Sequence, residues 1–211
     1  MSLNPIEIVA YQKEDNEAVR ELIVDSFLGK FHALVHLDIN QIRKLLGSIW
    51  IDDPNASTVK QIVAKENGKV VGTLCLKWKG NAPSNKRADQ IHIAQLFKQF
   101  GYLNVCKFIV GMCFLDYQPK AHECYIDHLA IRSSHRNKGI GGQLLAWAQH
   151  FTLNSEFDQL SLHVVSNNKQ AIHLYEKMAF DIERSNYNMM RHIFFQYPIW
   201  NFMSWRASLQ H

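Results

Sequence analysis

Apolar residues recur along this chain with two periods. Val19, Leu22, Ile23 and Phe27 fall at helical spacing and predict a helix over 15–28. Ile42, Leu45, Leu46 and Ile49 predict a second over 38–50. Ile6 to Val9 reads as a short strand. Val59 to Lys65 and Lys69 to Trp78 predict a hairpin across Glu66-Asn67-Gly68-Lys69, after a break at Asp52-Asp53-Pro54-Asn55. Gly80 to Arg87 is a polar turn. Two helices follow, over 88–100 and 103–115, split at Gly101.

The second half alternates more regularly. A strand over 123–131 leads through a glycine-containing loop into a helix over 140–151. A strand over 160–165 leads into a helix that Ser166-Asn167-Asn168 caps and that ends near Met178. Two late strands, 180–187 and 189–196, are expected to form a hairpin, with an aromatic tail after them. This order predicts an α/β (α+β) fold. Its mixed central sheet has about six to seven strands flanked by helices, and a two-helix insertion (about 80–122) separates the third and fourth strands. The central β-α-β favours one parallel pair.

The totals narrow the class. At 211 residues, 47% hydrophobic and 20% charged, the chain is expected to be one domain able to bury a core. A net charge of +4 is too small to argue for nucleic acid, though it suits an anionic cofactor. Cys75, Cys106, Cys113 and Cys124 form no C-x-x-C pair and read as reduced thiols, which points to the cytoplasm. Met1 to Val9 does not read as a signal peptide. The longest apolar stretch, Tyr102 to Leu115, falls short of the roughly 20 residues a bilayer span needs, so no membrane partner is expected.

The most informative stretch is Arg136-Asn137-Lys138-Gly139-Ile140-Gly141, between a strand and a helix. Backbone N–H groups of such a loop, with the positive end of the helix dipole, suit a pyrophosphate. The two glycines let the backbone come close to a ligand. About 30 residues on lies Asn168-x-x-Ala171-x-x-Leu174-Tyr175-Glu176-Lys177-x-x-Phe180, whose Ala171, Leu174, Tyr175 and Met178 share one helical face.

Together the two segments resemble the GNAT superfamily of acetyl-CoA-dependent N-acetyltransferases. The likeness is close over Glu123 to Phe180 and rests only on element order before that. It implies a single GNAT-like domain over 1–211, acetyl-CoA as co-substrate, no metal, and an amine acceptor, either a small molecule or a peptide. Backbone groups of Leu129, Ala130 and Ile131 would hold the pantetheine arm. Amides of Arg136, Asn137, Lys138, Gly139, Ile140, Gly141 and Gly142 would cradle the pyrophosphate. Asn168 would touch the pantetheine or the loop, and Tyr175 would sit near the sulfur. Ala179 and Asn137 stand where the family often has glycine.

Acetyl transfer to an amine needs a deprotonated nitrogen, an oxyanion donor and a proton for the leaving thiolate. Tyr175, with a reference pKa of about 10, can supply that proton. Asp127 is the expected base, directly or through a water. It alternates with Tyr125 and Leu129, so the three share one strand face and His128 points to the other. His122 and Glu123 read as solvated. A ping-pong route through Cys124 is the lesser path. The two inserted helices are expected to wall or cover the acceptor site, or else to pack ordinarily. The tail 197–211, rich in Trp and Phe, either packs on its own domain or joins a second copy as a homodimer.

A Rossmann domain would want a third glycine where Leu144 stands and an acid where Ser166-Asn167 stands. No P-loop motif is present, and His122, Glu123, Asp127 and His128 lack metal-like spacing. The rival from another class is a coenzyme A-binding sensor or interaction protein without catalysis. Retained Tyr175 argues for the enzyme.

Overall fold

A computed structural model describes residues 5–49, 57–80 and 93–206. The sheet has seven strands: β1 (Ile6–Ala10), β2 (Val59–Glu66), β3 (Lys69–Trp78), β4 (Glu123–Ile131), β5 (Gln159–Val165), β6 (Asp181–Tyr187) and β7 (Ile199–Arg206), in the spatial order β1-β2-β3-β4-β5-β7-β6. Every neighbour pair is antiparallel except β4 with β5. The β2–β3 hairpin turns where Asn67 and Gly68 take positive φ (51° and 74°), the geometry a two-residue loop needs to follow the strand twist.

Helices cover both faces. One carries α1 (Asn16–Leu34), α2 (Ile39–Ile49), α3 (Ile93–Phe100), α4 (Tyr102–Leu115) and α7 (Met189–Phe195). Their buried residues pack on Val63, Val70 and Ala130, and Phe31 stacks on Phe108 with ring centres 5.7 Å apart. The other face carries α5 (Ile140–Leu153) and α6 (Lys169–Lys177), packed on Ile62, Leu74, Leu76, Ile126 and Leu162. Neighbouring positions such as Ile62 and Val63 divide between the two layers because strand side chains alternate. The first helix runs past its expected end at residue 28 to Leu34, through a non-helical turn at Phe27.

The late chain corrects the sequence expectation. Residues 189–196 do not form a strand. Asn188 caps a helix there by accepting the Arg191 N–H at 2.9 Å, and Phe195 drops into the core. The partner of β6 is instead the aromatic tail. β7 slots between β5 and β6, with Trp200, Phe202, Met203 and Trp205 all buried. Hydrogen bonding on both edges and packing on both faces satisfy this strand within its own sheet. The break at 52–55 and the segment 81–92, with the start of the predicted 88–100 helix, lie outside the described residues. Among the described residues no helix is long and apolar enough to cross a membrane.

Candidate active site

The parallel pair β4–β5 is short. It holds at Glu123↔Gln159, Cys124↔Leu160 and Tyr125↔Ser161, and then the strands part. Beyond Tyr125, one edge of β4 lacks a strand partner, so its N–H and C=O groups face the gap. A cavity of about 330 Å³ occupies this wedge. Its walls come from both strands, from Asn168, Ala171 and Tyr175 on α6, and from Phe27, Lys30, Met112, Leu115, Arg191 and Trp200 across the sheet.

Leu129, Ala130 and Ile131 lie on β4 past the point where pairing stops. Next comes the glycine loop. Asn137 takes φ 61° and accepts the Gln170 side-chain N–H at 2.8 Å, which ties the loop to α6. Gly139 takes φ 81° as the N-cap of α5, and a Cβ there would meet nothing within 4 Å. Conformation, not crowding, calls for glycine at this position. Gly141 differs: a Cβ would lie 2.9 Å from Leu174 Cδ2, so its bareness lets α5 and α6 approach. Arg136, Asn137, Lys138 and Gly139 are exposed, Gly142 is half-buried, and Ile140 is buried in the core. The first-turn amides of α5 lack helical partners, as at any helix start. The loop therefore offers what a pyrophosphate needs, and the residues present fit coenzyme A.

Asn168 caps α6 by accepting the Ala171 N–H at 3.2 Å. At the other end of α6, Phe180 N–H donates to the Tyr175 carbonyl and Ala179 N–H to the Glu176 carbonyl, with Ala179 at φ 59°. This is the Schellman arrangement, and the Phe180 ring sits 6.0 Å from the Tyr175 ring. The cap fixes Tyr175, which faces the cavity. Burial pushes its phenol up to about 12, so it holds its proton at neutral pH.

Asp127 departs from the expected alternation. In the β3–β4 register, Cys75 pairs with His128 and the next residue, Leu76, with Ile126, so Asp127 is bulged out. The bulge moves every later side chain to the other face. Ile126 and Leu129 consequently both pack against α5 and α6, while His128, expected on the opposite face, joins Tyr125 in lining the cavity. Lys77 Nζ lies 2.7 Å from one Asp127 oxygen and His128 Nδ1 3.2 Å from the other. Burial would raise this carboxyl, but the His128 hydrogen bond and the Lys77 charge outweigh it and hold the group well below the usual range. A carboxylate so engaged takes up protons poorly.

A second pair stands in the same wedge. Tyr125 Oη and His163 Nδ1 are 3.1 Å apart, and both residues line the cavity. Burial first, then Arg191, Arg184 and Lys77, push the imidazole down to about 4. Burial, with Asp127 next, raises the phenol well above its usual value. Both groups are neutral at pH 7. His163 lies at an ordinary alternating position of β5, and only its partner makes it notable.

Glu123 is not solvated. It is 1% exposed and accepts from Tyr117 Oη, the Lys120 N–H at 2.8 Å and Ser161 Oγ, which anchors the short paired end of β4–β5. His122 is exposed, with Nδ1 3.1 Å from the Glu156 carbonyl. Cys124 is fully buried, and burial pushes its thiol up to about 12. None of the four cysteines lines the cavity. Of the two helices before β4, α4 contributes Met112 and Leu115 to the wall.

The profile of the Acetyltransferase (GNAT) family matches residues 16–180. The chain is 27% identical over 106 residues to N-alpha-acetyltransferase 50 of Danio rerio, covering 50% of this chain and 62% of that protein. It is 36% identical over 70 residues to N-alpha-acetyltransferase 30 of Xenopus laevis, covering 33% and 26%. The match therefore spans less than two thirds of each relative. Among solved structures, a probable acetyltransferase from Staphylococcus epidermidis shares the fold with TM-score 0.60 at 14% identity, covering 97% of this chain and all of that one.

Proposed function

The chain belongs to the Acetyltransferase (GNAT) family, and from that premise we propose that it moves an acetyl group from acetyl-CoA to a primary amine by direct attack in a ternary complex. The observation that carries this reading is the gap between β4 and β5, lined by Asn168, Ala171 and Tyr175 on one side and by Lys30, Arg191 and Trp200 on the other.

When bound, acetyl-CoA supplies a thioester whose carbonyl carbon gains the amine nitrogen and loses the sulfur. Amides of residues 137–142, in the loop and the start of α5, hold the pyrophosphate, while the Arg136 N–H donates to the Ser133 carbonyl. Backbone groups of the Leu129–Ile131 stretch hold the pantetheine, with those of Leu129 and Ile131 turned to the gap while Ala130 pairs with Thr73 on β3, and Asn168 flanks it. Tyr175 gives its proton to the departing sulfur. The proton shed by the nitrogen passes to Tyr125 Oη while the phenol's own proton moves to His163 Nδ1. Asp127 keeps Lys77 and His128 in place and is not the acceptor of that proton. Because the imidazole is weakly basic, the amine must arrive unprotonated. The cysteine positions support direct transfer over a route through Cys124. Both named relatives are N-alpha-acetyltransferases, which favours an α-amine as the acceptor group.

The test is thermal melting with acetyl-CoA, followed by an amine screen. A ligand that binds only the folded state raises the midpoint with its concentration. Gly139→Glu should abolish that rise, because it strains the φ 81° turn and puts a carboxylate beside the pyrophosphate. No rise in the wild type would refute the donor assignment. Tight binding with no turnover on any amine would leave a coenzyme A-binding protein.

A further inference from the structure

Across the sheet from α5 and α6, the cavity wall carries two cations that acetyl transfer itself does not use. Lys30 on α1 and Arg191 on α7 meet at one ring. Lys30 Nζ is 4.7 Å and the Arg191 guanidinium carbon 5.0 Å from the centre of Trp200, a buried residue of β7. Lys30 Nζ is also 4.7 Å from the Phe27 ring. Aromatic faces stabilise such cations only in part.

Among the described residues no carboxylate pairs with either cation. Arg191 Nε donates to the Phe114 carbonyl at 3.1 Å, which positions the guanidinium without neutralising it. The cavity's own carboxylates are already engaged, because Lys77 lies 2.8 Å from Asp116 and 2.7 Å from Asp127. Two like charges brought together in a half-closed space repel, and each is costly to desolvate without a counter-ion. The Arg191 charge is also felt at Tyr125 and His163, so the cations adjoin the pair assigned to proton uptake.

We propose that Lys30, Arg191 and Trp200 form a carboxylate-binding subsite, and that the acceptor is an amine bearing a carboxylate a few bonds from its nitrogen. This rests on the acetyltransferase reading of the same cavity. A carboxylate reaching Lys30 and Arg191 forms charge-assisted hydrogen bonds with both. A polyamine would place more positive charge beside two existing cations. The shared chemistry belongs to a free amino acid and to a peptide with an acidic residue next to its amine.

The experiment measures acetylation of paired acceptors. Free amino acids are compared with their carboxamides, and amidated dipeptides with Asp or Asn in second place are compared with each other. The wild type should prefer the carboxylate member of one set by at least tenfold in kcat/KM, chiefly through KM. Which set shows the preference identifies the source of the carboxylate. Lys30→Met should bring that ratio within about threefold, Lys30→Glu should invert it, and Lys30→Arg should restore it. A retained acetyl-CoA melting shift in each variant shows that it folds. Calorimetric binding of the N-acetylated products, carboxylate against carboxamide, reads the subsite without turnover. Equal handling of both members by the wild type, or a preference unchanged in Lys30→Glu, would overturn the subsite and leave the transferase standing. Carboxylate-selective binding with no acetylation of any amine would overturn the transferase and leave the subsite standing.

Discussion

Tyr125 and His163 lie on neighbouring strands that have just parted, and the 3.1 Å contact between Oη and Nδ1 bridges the start of the gap. With the imidazole near 4 and the phenol raised, the hydroxyl donates to the ring nitrogen. Tyr125→Phe should lower kcat by about 10²-fold, and His163→Ala should do the same. The double variant should lose little more than either single one, because the two residues form one relay. Losses that multiply would show that they act separately.

If the amine must arrive unprotonated, kcat/KM for a neutral α-amine acceptor should rise with pH and level off near that amine's own pKa of about 8. His163 should add no inflection above pH 5, since it is already neutral there. An inflection between pH 6 and 7 that vanishes in His163→Ala would contradict this assignment.

Tyr175→Phe should cut kcat by about 10²-fold while leaving the acetyl-CoA melting shift in place. Loss of the melting shift together with the rate would mean that the hydroxyl serves binding rather than proton donation.

Lys30 makes a testable link between charge and stability. Its ammonium is pushed down from 10.5 to about 8, first by burial and then by Arg191. Because the folded value is the lower one, the unfolded chain holds more protons between about pH 8 and 10.5. Wild-type stability should climb across that window and carry the full penalty at pH 7. Lys30→Met should therefore stabilise the protein at pH 7, by at most about 3 kcal/mol. The gain should shrink toward pH 10, followed by denaturant melts at several pH values. A gain independent of pH would mean that packing, not charge, is responsible.

Ala179 sits at φ 59° in the cap after Tyr175, where an L side chain costs about 1–2 kcal/mol. Ala179→Gly should raise the melting midpoint by about 2–4 °C. An unchanged or lower midpoint would show that the strain is relieved in solution.

The legible parts of this chain were those written locally. The glycine loop, the α6 cap and the hairpin turn each need particular residues at fixed short spacing. The bulge at Asp127 was not legible, because the bulged residue is chosen by the register against Cys75 and Leu76, some 50 residues earlier. In sequence the α7 stretch resembles a strand because Ile193, Phe194 and Phe195 suit strands, and tertiary packing of Phe195 overrides that preference. β7 is hidden in the sequence for the opposite reason. A strand buried on both faces shows no alternation, so its Trp and Phe looked like a tail. Lys30, His163 and Arg191 belong to three elements, and nothing in their spacing brings them together.

The placement of β7 has a consequence for synthesis. The GNAT match ends at residue 180, before this strand begins. A nascent chain that has emerged only to that point carries the glycine loop and α6, yet β5 has an open edge and Trp200 is missing from the cavity wall. Two strands made earlier must wait for one made later to pass between them. The interval in which the ribosome still holds residues 199–206 is therefore the period when β5 is most exposed to pairing with another chain.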